Sequence, residues 1–117
     1  MAAFVPPRAA HAYVKRWAAL FEARAWPALQ TIDRAGALRE VTMAYLKLLR
    51  SSGCHVASWT IKRYKRPRWI RPRELAPTPT LWCDLELVRA KGNPVTIWLA
   101  LAPYGRGFRQ CDYVEQA

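Results

Sequence analysis

The chain has 117 residues, of which 52% are hydrophobic and six are Trp, and it carries 19 Lys and Arg against eight Asp and Glu, a net charge of +11. That length fits one domain with a core of its own, and the apolar and aromatic content excludes a disordered chain. The charge draws nucleic acid, anionic membrane or acidic protein without specifying a fold.

Residues 1–6 read as a flexible lead-in, and 7–117 as a single domain. Pro7 suits a first helical turn, where its missing N–H costs nothing. Tyr13, Trp17, Leu20, Phe21 and Arg24 then recur at helical spacing, which predicts a helix over about Pro7–Arg24. A short helical piece follows at Pro27–Ile32. Asp33 is a plausible N-cap for a further helix whose apolar stripe is Leu38, Val41, Tyr45, Leu48 and Leu49. Ser51, Ser52 and Gly53 end it, with Gly53 as the left-handed cap.

From His55 the period becomes two, with Ala57, Trp59 and Ile61 alternating against Ser58, Thr60 and Lys62. Four prolines make 66–79 a Pro- and Arg-rich loop or broken edge. Leu81, Cys83, Leu85 and Leu87 then share one strand face, and Val95, Ile97, Leu99 and Leu101 another. A three-residue loop Lys91-Gly92-Asn93 would set Leu85 opposite Leu99 and Leu87 opposite Ile97. A turn at Tyr104-Gly105-Arg106-Gly107 leads to a last strand, Phe108–Val114, with Cys111 opposite Leu99 and Asp112 opposite Trp98. The whole predicts an α+β class: N-terminal helices packed on a curved antiparallel sheet.

The alternation separates two sheet faces. The apolar one packs on the helices. The other carries Trp82, Asp84, Glu86, Thr96, Trp98 and Asp112, a mix of aromatics and carboxylates that is typical of a partner surface. Trp82 and Trp98 are therefore expected in a contact with another protein, most simply a second copy of this chain, or else beneath the Pro-rich loop.

This order of elements resembles a known family. A Trp-x-x-x-Phe helix core (Trp17 to Phe21) is followed by Glu22-Ala23-Arg24-Ala25-Trp26-Pro27-Ala28-Leu29, then further helix, then hairpins ending in an aromatic strand. Over roughly residues 9–115 it looks like the cone-shaped, cystatin-like α+β fold of the nuclear transport factor two superfamily, which includes ketosteroid isomerase and scytalone dehydratase. Segment 66–79 and the short stretch before the first strand depart from that pattern. The resemblance implies a bent sheet around helices, a cavity at the open end that takes small apolar molecules, and homodimers paired through their sheets. Family catalytic carboxylates and histidines face the cavity, and none maps onto this chain.

Three functions follow as expectations. The leading one is a small-ligand-binding domain whose apolar cavity is lined by Tyr13, Trp17, Phe21, Tyr45, Trp59, Leu85, Leu99 and Tyr113. The second is binding of an anionic partner such as single-stranded nucleic acid. Lys62, Arg63, Lys65, Arg66, Arg68, Arg71 and Arg73 supply the charge, and Tyr64 and Trp69 could stack on bases. The third is an isomerase, hydrolase or dehydratase using Asp84 or Asp112 beside Trp98, since a carboxylate against aromatics can serve general acid–base chemistry. His11 and His55 lack metal-ligand partners at i+3 or i+4, and Cys54, Cys83 and Cys111 lack zinc spacing, so neither metal nor cofactor is expected. Adjacent residues on a strand point apart, so Cys54 and His55 do not read as a nucleophile pair. No apolar run reaches about 18 residues, and the thiols read as reduced core groups of a cytoplasmic protein.

Overall fold

The computed structural model describes residues 4–32, 40–65 and 80–116, and at 40–42 and 109–116 the backbone path alone. Three helices, α1 (Arg8–Glu22), α2 (Trp26–Thr31) and α3 (Glu40–Ser51), precede four strands. The strands β1 (His55–Arg63), β2 (Leu81–Val88), β3 (Val95–Tyr104) and β4 (Gly107–Gln116) form a curled antiparallel sheet in the order β1-β2-β3-β4. This is the expected α+β arrangement, with helices on the concave apolar face. The position of Asp33 lies outside the described residues.

Local chemistry sets the ends of the helices. Pro7 is the N-cap of α1, with extended backbone. Both α1 and α3 close with the same pair of backbone bonds. Arg24 N–H donates to Phe21 O and Ala25 N–H to Leu20 O; Gly53 N–H donates to Arg50 O and Cys54 N–H to Leu49 O. This closing motif puts its C′ residue in the left-handed region. Gly53 is there at φ +90, as expected, but at α1 the position belongs to Arg24, at φ +57. Arg24 therefore turns the chain outward and is exposed, instead of extending the apolar stripe.

α1 buries Ala10, Val14, Trp17, Ala18 and Phe21. Trp17 stacks on Phe21 with ring centroids 5.7 Å apart, and Phe21 meets the edge of Trp26 at 5.9 Å. The stripe of α3 is rotated from the expected one. Met43, Leu46 and Leu49 are buried, Tyr45 is half-buried, and Leu48 is 64% exposed. Two apolar rows overlap where Leu48 and Leu49 are adjacent, and periodicity alone did not choose between them.

The first hairpin keeps like faces together in a different register; in the second a bulge offsets the turn end by one residue, so that Gln110, expected on the other face, stands opposite Leu101. Leu85 pairs with Ile97 and Leu87 with Val95, so six residues, 89–94, connect β2 to β3. Pro94 has no N–H to extend the ladder, and Gly92 stands at φ +107 inside this wider loop. In the second hairpin Tyr104 pairs with Gly107, and Gly105 at φ +57 takes the glycine-first position of a two-residue turn. Leu99 pairs with Tyr113, Trp98 with Val114 and Ala100 with Asp112. Leu101 pairs with Gln110, which leaves Cys111 as the extra residue of a bulge.

Candidate functional site

The inner face of the curl carries one continuous cluster of buried side chains. Trp17, Phe21, Leu85 and Leu99, four of the residues expected to line a cavity, are fully buried in one continuous core with Leu46, Leu87, Ile97 and Leu101. Tyr13, Tyr45 and Trp59 are half-buried at its margin, and the side chain of Tyr113 lies outside the described residues. Of the seven whose side chains are described, each of the two grooves below takes up one. Two separate grooves among the described residues take up Tyr13 and Tyr45, one at each end of β3, which spans about 30 Å.

The first groove has a volume of about 530 Å³ and lies between α1, α2 and the β3–β4 turn. Ala9, Ala12, Tyr13 and Arg16 supply one wall, Thr31 and Ile32 the floor, and Tyr104, Gly107 and Phe108 the other wall. The helical spacing of 9, 12, 13 and 16 puts them on one side of α1, next to the core side held by Ala10, Val14 and Trp17. The Tyr13 hydroxyl donates to Ile32 O at 2.7 Å, which pins its ring and the end of α2. Tyr104 is 58% exposed at the rim. Arg16 supplies a cation at the wall, and among the described residues no carboxylate or histidine lines the groove.

The outer sheet face is not the open surface its sequence implies. Trp82, at 5% exposed, forms a small second core with Ala100 and Ala102, and Tyr64 and half-buried Trp98 pack on it at 5.0 and 5.5 Å. The indole N–H of Trp82 donates to Lys65 O. Asp84 stands on this same face, opposite Thr60 and Trp98, and pairs with Lys62 at 2.9 Å. It lines neither groove, and its Oδ1 is buried without a hydrogen-bond partner. The Asp112 side chain lies outside the described residues.

The described part of the basic segment is already engaged. Lys62 holds Asp84, the Arg63 guanidinium lies 5.0 Å from the Phe4 ring centroid, and Tyr64 packs on Trp82. Lys65 is exposed. Arg66, Arg68, Trp69, Arg71 and Arg73 lie outside the described residues.

Two further clusters hold chemistry-bearing groups. Glu22, at the end of α1, accepts from His55 Nδ1 at 2.9 Å and from the Val56 backbone N–H at 2.6 Å, while Arg50 Nε donates to Glu22 O at 3.2 Å. Burial pushes the Glu22 carboxyl up, but the His55 and Val56 hydrogen bonds and the charges of His55 and Arg50 outweigh it and hold it below its ordinary value. This is a clasp joining α1, α3 and β1. Cys83 is buried, and burial, with Asp84 beside it, pushes its thiol up to about 12. Such a thiol is not a nucleophile at neutral pH. Among the described residues no three His, Cys, Asp or Glu come close enough to hold a metal, and no helix is long and apolar enough to cross a membrane.

Comparison with family models, with curated proteins and with solved structures finds no match to this chain.

Proposed function

We propose that the protein is a small-ligand-binding domain whose site is the groove at the β3–β4 end. The observation that carries this reading is the convergence of Tyr13, Tyr104 and Phe108 around an opening of about 530 Å³ with Arg16 on its wall. That size lies within the range of small-molecule sites, and aromatic walls with one placed charge are their usual composition. The ligand class is a flat, mainly apolar molecule bearing one negative group. The absence of a carboxylate or histidine from the described lining gives no support to acid–base catalysis there.

Nucleic-acid binding has less geometric support, because Lys62, Arg63 and Tyr64 already have partners within the chain. A homodimer through the outer face would have to use half-buried Trp98, since Trp82 is covered within one protomer. A cone of the nuclear transport factor two type is compatible with the helix-over-curled-sheet arrangement.

The test is calorimetric titration with 2-naphthoate, an aromatic carboxylate. Arg16→Glu and Phe108→Ser should each weaken binding by about tenfold or more, equivalent to about 1.4 kcal/mol. Unchanged affinity in both variants would remove the groove from consideration.

A further inference from the structure

The second groove lies at the opposite end of β3 and contains an unanswered cation. Its volume is about 510 Å³, and Tyr45, Leu48, Leu49, Ser52, Arg89, Asn93, Pro94 and Val95 line it. Two features of its lining suit a ligand with an apolar part and an anionic end. Leu48 exposes 64% of its surface on an otherwise amphipathic helix. Arg89 Nε is buried and has no hydrogen-bond partner, and among the described residues no carboxylate pairs with this guanidinium. A buried N–H of a charged group without an acceptor is among the more expensive defects a fold can carry.

The side chain is also held in place. Arg89 lies across Gly92: a Cβ there would come within 2.6 Å of Nε and 3.1 Å of Cζ. The guanidinium thus takes the space that a side chain at position 92 would need, and this confinement reduces the entropy lost when a ligand pairs with it. Ser52 is committed to Leu49 O through its hydroxyl, and Arg89 is the one charged side chain of the lining, with Asn93 its one amide. The lining contains no acidic side chain.

We infer that this groove is a second ligand site, selective for an amphiphilic carboxylate: an apolar chain of roughly ten carbons laid along Tyr45, Leu48, Pro94 and Val95, its carboxylate on Arg89. A guanidinium fork matches a carboxylate edge with two parallel N–H···O bonds, and the apolar chain covers Leu48. Charge complementarity favours a carboxylate over a neutral lipid, and the apolar wall favours it over a bare anion.

The experiment is an NMR titration of the full chain with decanoate, with decanol and inorganic phosphate as comparison probes. Decanoate should move the Arg89 Nε–H resonance and the amides of Leu48, Asn93 and Val95. Decanol and phosphate should each bind at least about tenfold more weakly. Arg89→Gln should cost tenfold or more in decanoate affinity. Arg89→Lys, which keeps the charge but loses the fork, should recover only part of it. Arg16→Glu should leave these shifts unchanged, so a failure of the first groove is distinguishable from a failure of this one. Equal binding of decanol, equal binding of phosphate, or full affinity in Arg89→Gln would each overturn the assignment.

Discussion

Helix α1 passes through two kinds of environment, and the contrast separates what folds the chain from what it presents. On one side Val14, Trp17 and Phe21 are fully buried against the apolar face of the sheet. On the adjoining side Ala9, Ala12, Tyr13 and Arg16 form the wall of an open groove. The closed region uses large rings in fixed contact. The open region uses small alanines that leave space, one tethered tyrosine and one cation. A binding surface here comes from withholding bulk from one strip of a helix whose other strip is saturated with it.

The contrast breaks most visibly if the closed side proves dispensable. Phe21→Ala removes a ring from a fully buried site and should lower stability by about 3–5 kcal/mol, as read from urea unfolding. A loss under about 1 kcal/mol would mean the interior is not close-packed.

The clasp at Glu22 comes next, because it ties the closed side to β1. A carboxylate whose folded pKa lies below its unfolded one stabilises the fold above the unfolded value, and that stability is lost as pH falls through the folded value. Glu22 is of this kind. Since its side chain is one-third exposed, solvent screening keeps the contribution to about 1 kcal/mol. Glu22→Gln should therefore destabilise the protein at pH 7 and approach the parent's stability at about pH 3. A constant gap in urea midpoint at the two pH values would rule out the charge as its origin.

Tyr13→Phe sharpens the boundary between the regions. It deletes the bond to Ile32 O but keeps the ring, and should cost about 1 kcal/mol while loosening the groove floor. The smallest expected change is a gain. Arg24 holds the left-handed position that glycine fills without strain, so Arg24→Gly should raise stability by about 0.5–1 kcal/mol. A loss of stability would mean that the Arg24 side chain stabilises the fold in some other way.

The elements were legible in the sequence because each carries a local signal. Pro7, Gly53 and Gly105 mark ends and turns by backbone chemistry, and the strict alternation of 81–87 and 95–101 assigns the inner sheet face correctly. Register was not legible to the same degree. Shifting the first hairpin by two residues keeps its faces intact, so alternation is silent on that choice; in the second, the bulge at Cys111 offsets the turn end by one residue, which alternation does not report. The loop length decided the first, through Pro94 and the seat of Arg89 on Gly92. The site was legible only through Tyr13 and Tyr45. Trp17, Phe21, Leu85 and Leu99 read equally well as cavity or core, because an apolar side chain in a wall and one in a packed interior give the same pattern. Arg16 and Arg89 looked like ordinary surface charge, and only their place in the lining of a groove distinguishes them. The outer face misled for a different reason: burial of Trp82 depends on contacts that no periodicity reports.

The most direct test of the central claim is a map of amide shifts on titration with 2-naphthoate. Perturbations should cluster at Ala12, Arg16, Thr31 and Gly107, with Leu85 and Leu99 unmoved. Shifts centred on Leu85 and Leu99, or none at the groove, would contradict it and return the ligand site to the interior of the curl or remove it altogether.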